Sequence, residues 1–378
     1  MWLGAQHSKN VPDTVNAYEH APYSRSEKFY TLCMAQPLSY DGSGVDIDAA
    51  DSTKRAMAEH MTTSDPRVLN RLGAFATLFE ATFPNVKHPV LVLKTEEPGS
   101  KQLLAIQHGK IASLAEDLVH HIVNDIAVMG AIPLSIQDCI VCGKLEKSVI
   151  TEFVGAMAQT CRALGCTLTG GETSEQPGVL DAGRYILSAS VVGVVEKDAI
   201  VDGGKIREGD MVLAVASNGL HTNGYSLVRK LIETDPKILE EKIEQLSFLE
   251  VILLPHTSYL AAIQAIAHME GLTGLAHITG GGIAGNLNRI LPKSLDARIY
   301  ASIINVLPIF QTIKARGSVS DADMLKTFNV GVGLTIVCRP DVTEKIRTKI
   351  EAAGHRCYPI GSIAKGSGNV TYKGSVKW

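Results

Sequence analysis

An amphipathic stretch set between two short apolar runs does most to restrict how this chain can fold. Residues 113–130 carry apolar side chains at steps of three and four, which is the period of an α-helix. The apolar runs 89–93 and 133–141 on either side have the length and composition of buried strands. A strand, a helix and a second strand in this order favour a mixed α/β arrangement. The predicted buried face of the helix is formed by Leu114, Leu118, His121, Ile122, Ile126 and Met129.

The ends of this helix can be predicted as well. Ser113 followed by Glu116 has the spacing of a capping box, and Gly130 is a typical helix terminator. Asp125 lies in the last third of the helix, where a negative charge opposes the helix dipole. The local sequence therefore gives Asp125 a poor rationale, which favours a role outside the helix over a solvated position.

The remaining pattern extends the same architecture over the chain. A helix over 147–164 and a strand over 184–195 follow, and the second half again mixes strands with helices. At 378 residues the chain is too long for one ordinary core. We therefore predict a two-domain α/β (α+β) protein with its boundary in the glycine- and charge-rich stretch 199–209. Two further helices are predicted over 235–250 and 256–269. The predicted divisions are an extension (1–36), an N-terminal domain (37–198) and a C-terminal domain (199–378).

Composition and cysteine usage exclude several classes of function. Hydrophobic residues make up 45% of the chain and charged residues 20%, as in an ordinary globular protein. A net charge of -3 and 5% aromatic residues argue against nucleic acid as a partner. The longest apolar run, 249–267, is broken by Pro255 and His256, so no membrane span is predicted. Seven irregularly spaced cysteines favour a reduced, cytoplasmic protein, and a redox role for the C-x-x-C of Cys139 and Cys142 is disfavoured.

Four acid-bearing segments recur in the first half. They are residues 42–48, 95–101, 124–125 and 170–175, and each follows or ends a regular element. If they converge, their carboxylates repel one another unless a cation is bound, and Mg²⁺ with a polyphosphate is the natural candidate. Glycines in these loops offer backbone N–H groups to phosphate oxygens. Taken alone, the stretch 168–178 reads equally well as a surface turn.

Two polar loops in the second half precede predicted helices. His221, Thr222 and Asn223 lie just before one helix, and the run 279–282 lies before another. Free N–H groups at a helix start can hold an anion such as a sugar phosphate. The alternatives are a capping or packing role for His221 and a tight turn for the glycines. The sequence has no Walker A loop, Rossmann fingerprint or nucleophile elbow, so a nucleotide site here would be of an unusual kind.

Six segments of the chain are distinctive when they are taken together and in order. They are Y-D-G-S-G-V-D-I-D (40–48), V-N-D-I (123–126), G-G-E-T-S-E-Q-P-G (170–178), H-T-N-G-Y-S-L-V-R-K (221–230), H-I-T-G-G-G (277–282) and T-F-N-V-G-V-G (327–333). In this order they resemble the phosphoribosylformylglycinamidine cyclo-ligase family, the aminoimidazole ribonucleotide synthetases of purine synthesis. The resemblance covers the chain from about residue 38 to its C-terminus.

The resemblance implies a fold and a reaction. The N-terminal domains of two subunits would pair into a shared β-barrel, which makes the protein a homodimer, and the C-terminal domain would be an α/β sandwich. The substrate would be formylglycinamidine ribonucleotide, with ATP and Mg²⁺ as cofactors. ATP would activate the amide oxygen of the substrate as an imidophosphate, and ring closure would then expel phosphate. Such chemistry asks the protein mainly for positioning and charge neutralisation.

The resemblance also implies roles for individual residues. Lys101, His221 and Asn223 would act in catalysis, and Asp125, Glu172 and Glu96 would bind the metal. The glycines Gly280, Gly281 and Gly282 would hold the substrate phosphate. The residues expected to bind ATP are Gly42, Gly44, Asp46, Gly99, Ser100, Gly170 and Gly171.

One loop departs from the family pattern. The family's T-D-G-V-G-T-K reads T-E-E-P-G-S-K here, so Glu96 is one methylene longer and Glu97 replaces a glycine. Pro98 fixes its own φ and makes the loop stiffer. Two alternatives to the cyclo-ligase therefore stay open. One is a superfamily relative of the thiamine-phosphate kinase or selenophosphate synthetase type, and the other is a nucleotide-binding homologue that has lost activity.

Overall fold

Two β-sheets with helices packed on them make up the part of the chain that the structure describes. A computed structural model describes residues 47–378 apart from 71–73. The predicted nucleotide-loop residues Gly42, Gly44 and Asp46 and the extension 1–36 lie outside the described residues.

The strands and helices are numbered in chain order. The strands are β1 (Pro89–Glu96), β2 (Ile132–Cys142), β3 (Thr167–Glu175), β4 (Tyr185–Glu196), β5 (Met211–Ala216), β6 (Lys242–Ile243), β7 (Leu246–Ser247), β8 (Leu272–His277), β9 (Leu295–Tyr300), β10 (Val332–Cys338), β11 (Cys357–Lys365) and β12 (Val370–Lys373). The helices are α1 (Ile47–His60), α2 (Lys101–Gln107), α3 (Ile111–Ala127), α4 (Lys147–Ala163), α5 (Tyr225–Thr234), α6 (Phe248–Ile252), α7 (Leu260–Ile266), α8 (Gly282–Leu287), α9 (Pro308–Gly317), α10 (Asp321–Thr327) and α11 (Thr343–Ala352).

The first sheet has the strand order β1-β4-β2-β3, and the helices of the described residues cover one of its faces. Its pairs are antiparallel except β2 with β3, which are parallel. Side chains of a strand alternate between the two faces, and those of β4 alternate between buried and more exposed. The buried face packs on α3, which contacts β1, β2 and β4, and on α4, which contacts β3. On the other face Leu91, Leu93 and Ile186 are 56%, 70% and 46% exposed. This apolar outer face belongs to an open sheet.

The second sheet has the order β12-β9-β11-β5-β10-β8. Only β12 and β9 are parallel neighbours. Every residue of β10 and of β8 is buried, so these strands read as continuous apolar runs with little alternation. Helix α8 packs on β8, β10 and β12, and α11 packs on β11 and α7. The described part of the chain contains no helix that is both long and apolar enough to span a bilayer.

A polar stripe on α3 explains two differences from the sequence predictions. Ser113, Asp117, His120 and Asn124 follow one another at helical spacing and all contact the irregular segment 253–259. Ser113 is not the helix cap, because α3 begins at Ile111 without a side-chain cap, and its hydroxyl donates to the carbonyl of Leu253 instead. The predicted helix over 256–269 begins only at Leu260 in α7, since side chains of α3 bind the backbone of the segment before it.

Other elements also differ from the predictions. The predicted helical insertion 235–250 is a 3-10 turn, a small hairpin of β6 and β7, and the start of α6. Helices α2 and α10 were not predicted, because both are short and carry little periodicity. The predicted loop 170–175 continues β3 as an edge strand, so it is neither a turn nor a free metal loop. Cys139 and Cys142 are unpaired thiols in β2.

Candidate active site

Asp125 sits at the centre of a polar cluster where α3 meets the ends of β1 and β8. Its Oδ1 accepts a hydrogen bond from Nδ1 of His277 at 2.7 Å. Its Oδ2 lies 3.2 Å from the ammonium of Lys94, which also lies 2.6 Å from a carboxylate oxygen of Glu96. Lys94 and Glu96 reach the same cluster because they are two residues apart on β1 and share a face of the strand.

The surroundings of Asp125 decide its charge. Burial by itself raises the pKa of Asp125, but the His277 hydrogen bond and the charges of His277, His121 and Lys94 bring that pKa well below its ordinary value. Burial lowers the pKa of Lys94, and contacts with Glu96 and Asp125 outweigh it, so the net shift is upward. Asp125 is therefore a carboxylate and Lys94 an ammonium at neutral pH.

Buried histidines continue the cluster inward. Nε2 of His256 lies 2.9 Å from Nε2 of His277. Since His277 donates through Nδ1 to an ionised acid, its Nε2 is an acceptor when the ring is neutral, and His256 donates to it. Burial holds the pKa of His256 well below its ordinary value, as does the neighbouring ring of His221. Asp125, His277 and His256 thus form a line of hydrogen bonds into the interior, and a neutral His256 ends it.

His221 occupies an unusual position for a buried ring. It is 1% exposed, and neither ring nitrogen has a hydrogen-bond partner within the described residues. Its ring stacks on that of His256 at 3.9 Å, and its backbone φ is 60°, in the left-handed region. Burial lowers the pKa of His221 far below its ordinary value, so the ring is neutral. The helix that follows has Gly224 as its N-cap, so the capping role considered for His221 is not realised.

Several predicted site residues lie close to this cluster. A Cβ placed on Gly280 would be 3.1 Å from Oδ1 of Asn223, and one placed on Gly99 would be 3.4 Å from the carbonyl oxygen of Thr222. Gly281 and Gly282 form the start of α8, and a side chain at Gly282 would collide with the carbonyl of Leu325. The structure therefore gathers the predicted residues Glu96, Gly99, Asp125, His221, Asn223 and Gly280 in one neighbourhood.

Lys101 has a different position from the one its catalytic assignment requires. Its side chain is 0% exposed, and its ammonium lies 2.8 and 2.7 Å from the two oxygens of Asp117 and 2.7 Å from the carbonyl of Leu254. Burial lowers the pKa of Lys101 and raises that of Asp117 to about 6, and their mutual attraction opposes both shifts. The ammonium donates to Oδ1 of Asp117 and to the carbonyl of Leu254, both in the interior, which corresponds to a structural ion pair. Ser100 lies one residue before, at the start of α2.

Gly170, Gly171 and Glu172 lie on β3, at the edge of the first sheet opposite β1. The strand register aligns Glu96, Ala189, Asp138 and Gly171 in one row across four strands. Three strand spacings separate the ends of that row by about 14 Å. Glu96 and Glu172 therefore cannot share one ion within a single chain. The predicted set of Asp125, Glu172 and Glu96 is not assembled as a metal site here.

Asp138 is a buried acid that no sequence pattern singled out. It is 4% exposed, and neither carboxylate oxygen has a hydrogen-bond partner in the described ranges. Burial, with help from the negative charge of Glu172, raises the pKa of Asp138 to about 7. Both residues line a cavity of about 490 Å³ beside Gly170 and Gly171. Asp138 was missed because it sits inside an apolar strand sequence that gives no chemical signal.

Comparison with known proteins places the chain in a family. Residues 85–195 match the model of the AIR synthase related protein N-terminal domain, and residues 207–373 match that of its C-terminal domain. The phosphoribosylformylglycinamidine cyclo-ligase of Methylobacillus flagellatus is 40% identical over 333 residues, which cover 88% of this chain and 96% of that protein. The cyclo-ligase of Neisseria gonorrhoeae is 39% identical over 338 residues, or 89% of this chain and 98% of that protein. The chain belongs to the phosphoribosylformylglycinamidine cyclo-ligase family.

Solved structures support the fold of this cyclo-ligase family member. Escherichia coli HypE has a TM-score of 0.63 at 16% identity, covering 86% of this chain and 94% of its own. Thiamine-monophosphate kinase from Stenotrophomonas maltophilia has a TM-score of 0.61 at 17% identity, covering 87% and 97%. These likenesses confirm the predicted two-part α/β fold. At such identities they carry no substrate assignment.

Within this family fold, Lys94, His256 and His277 are the site residues that the loop-based prediction missed. His277 opens the H-I-T-G-G-G segment, so its motif was recognised but its contact with Asp125 was not. Lys94 offered a weaker signal, namely a lysine two residues before Glu96 in a strand that ends at the site. His256 offered none, because it was expected inside a helix.

The donor set at this site does not fit a resident Mg²⁺ ion. The Asp125 oxygens already face His277 and Lys94, and Glu96 faces the same ammonium. Nitrogens of His221, His256 and His277 lie within 4.8 Å of one another, but Mg²⁺ prefers oxygen donors. The parallel rings of His221 and His256 also direct their lone pairs side by side, so they do not converge on one point.

Proposed function

We propose that this chain catalyses the ATP-dependent closure of formylglycinamidine ribonucleotide to 5-aminoimidazole ribonucleotide. The observation that carries the proposal is its similarity, over 88% of its length, to a protein named for this cyclo-ligase reaction. The products are ADP and inorganic phosphate. The γ-phosphoryl group moves to the amide oxygen, the ring-forming nitrogen attacks the activated carbon, and the phosphate leaves with that oxygen.

The polar cluster around Asp125 is the proposed substrate side of the site. The loop of His221 and Asn223 faces the glycines 280–282, and a phosphate held at those glycines would place the substrate against Asn223. Asp125 fixes Nδ1 of His277 as a donor, which orients that ring. We assign His221 and Asn223 to positioning the substrate. The protein's task is chiefly orientation in a site that excludes water.

Gly99 and Ser100, together with the glycine loop of Gly42, Gly44 and Asp46, are the proposed nucleotide contacts of one subunit. We propose that Mg²⁺ enters as the MgATP complex, so that the ion is part of the substrate. Bound Mg²⁺ supplies charge neutralisation to the phosphoryl oxygens.

We further propose a cytoplasmic homodimer. The apolar outer face of the first sheet, with Leu91, Leu93 and Ile186, has the exposure that a protein partner would cover. A second copy on this face would close the open sheet into a barrel. It would also bring its own β3 edge, with Gly170, Gly171 and Glu172, towards the nucleotide.

The decisive experiment incubates the purified chain with formylglycinamidine ribonucleotide, ATP and Mg²⁺, and measures ADP and the aminoimidazole product. We expect both in equal amounts and neither without the ribonucleotide. ADP formed only with thiamine phosphate would replace this proposal by a kinase of the thiamine-phosphate type. Tight ATP binding by calorimetry without turnover would support the nucleotide-binding homologue instead. Size-exclusion chromatography with light scattering tests the dimer separately.

A further inference from the structure

Lys94 fills the space between two carboxylates that the family resemblance assigned to a metal. Its ammonium lies 2.6 Å from Oε1 of Glu96 and 3.2 Å from Oδ2 of Asp125. The three side chains come from adjacent elements, β1 and α3, whose packing brings them together. The contact therefore belongs to the folded core of the N-terminal half and does not depend on a mobile loop.

Every carboxylate oxygen of the pair has a partner in the chain. Oδ1 of Asp125 accepts from His277 at 2.7 Å, and Oε2 of Glu96 accepts from the backbone N–H of Glu97 at 3.3 Å. The remaining two oxygens face Lys94. A divalent ion at this point would have to displace the ammonium from between the two carboxylates. The displaced ammonium would remain nearby, and its positive charge would repel the ion.

We propose that Lys94 is a built-in cation that occupies the place of a divalent ion between Glu96 and Asp125. The inference concerns the protein without ligands and stands apart from the reaction proposed above.

The exposure of Lys94 fits this role better than a purely structural one. About a third of its side chain is exposed, 33%, whereas Lys101 at the other end of the same loop is fully buried. Its ammonium holds the two acids together and still borders solvent, where an anionic ligand arrives. An ammonium is a compact point charge that suits phosphate oxygens. The expected consequence is that this chain needs one fewer divalent ion for the carboxylate pair than a chain without Lys94.

The test titrates the metal alone into the full chain. Mn²⁺ is the probe, since it accepts the same oxygen donors as Mg²⁺ and its free form is counted by electron paramagnetic resonance. In Lys94→Met we expect a new Mn²⁺ site at least about tenfold tighter than any in the unsubstituted chain, because two ionised acids lose their internal cation. The double variant Lys94→Met with Glu96→Gln should lose that site again.

Two controls keep the test decisive. Lys144→Met removes one exposed positive charge elsewhere and should leave the Mn²⁺ affinity within about a factor of two, because distant surface charge is screened. Glu96→Gln alone, in the chain that keeps Lys94, should also leave Mn²⁺ binding unchanged, and it answers the question even if Lys94→Met fails to fold. The proposal is overturned if Glu96→Gln weakens Mn²⁺ binding, or if a folded Lys94→Met binds Mn²⁺ no better than the unsubstituted chain.

Discussion

The polar junction beside α3 and the inner strand β2 of the first sheet both hold carboxylates away from solvent, but only the junction gives them partners. The polar junction consists of Lys94, Lys101, Asp117, Asp125 and His277, and each of its acids has a cationic or N–H partner within hydrogen-bond distance. On β2, Asp138 is 4% exposed and has no hydrogen-bond partner among the described side chains and backbone groups.

The difference shows that the partner, more than burial, sets the charge of a buried acid. Asp125 keeps a pKa below its ordinary value because His277 and Lys94 outweigh its desolvation. For Asp138, desolvation and the negative charge of Glu172 outweigh the attraction of its own backbone N–H and raise its pKa to about 7. The polar junction thus neutralises its acids within one chain, whereas Asp138 has no cationic partner among the described residues.

The largest expected effect comes from breaking the ion pair at the bottom of the polar junction. Lys101→Met leaves Asp117 buried without its cation, and we expect a loss of about 3–5 kcal/mol in the free energy of unfolding. Urea unfolding at neutral pH measures it. Replacing both partners, with Lys101→Met and Asp117→Leu, should recover part of the loss, although the N–H of His256 then loses its acceptor. If the Lys101→Met protein is stable but inactive, the predicted catalytic role of Lys101 is supported and the structural role is not.

The sequence predicted the fold well where one pattern dominated. The amphipathic face of α3 and the apolar strands β1, β2 and β4 follow directly from hydrophobic periodicity, and the motifs in order identified the family. Asp125 was selected as an acid without a local reason, and its partners lie 152 residues away, at His277, and on the strand of Lys94.

The remaining features depend on contacts that local patterns do not encode. Segment 253–259 departs from helix because side chains of α3 bind its backbone, and only the tertiary structure places α3 there. Lys101 appeared functional because it ends a loop with a family motif, yet the fold turns it inward to Asp117. The predicted metal set is not assembled within one chain, and sequence order cannot show that Glu96 and Glu172 lie on opposite edges of one sheet.

An intermediate effect is expected from replacing the unpaired carboxyl group of Asp138 on β2. Between about pH 4, the pKa of an unfolded aspartate, and about 7, native Asp138 holds a proton that the unfolded chain has released. Stability therefore falls as the pH rises through this window and stays lower above it. Asp138→Asn removes the cost, so at pH 8 it should be more stable than the unsubstituted chain by about 1–3 kcal/mol, with the difference vanishing near pH 4.

Thermal and urea unfolding between pH 4 and 8 measure this difference. Asp181→Asn, at an exposed position, is the matched control and should show no such pH dependence. A constant stability difference for Asp138→Asn across the whole pH range would mean that Asp138 is ionised in the native state. The contrast between Asp138 and the polar junction would then be lost.

The smallest expected effect on stability lies at the open end of the polar junction. Lys94→Met removes a partly exposed ion pair, so at neutral pH it should cost about 1 kcal/mol or less in the free energy of unfolding. The loss has two parts, a missing attraction and a new repulsion between Glu96 and Asp125, and salt should reduce both.

An experiment with divalent ions then distinguishes whether Lys94 acts as an internal cation or only forms an ordinary surface ion pair. A ligand that binds only the native state stabilises it in proportion to the logarithm of its concentration over its Kd. Millimolar Mg²⁺ should therefore raise the melting temperature of Lys94→Met more than that of the unsubstituted chain, in which Lys94 already neutralises the pair. An equal rise in both proteins would show that Mg²⁺ binds elsewhere. Lys94 would then not be acting in place of a divalent ion in the polar junction.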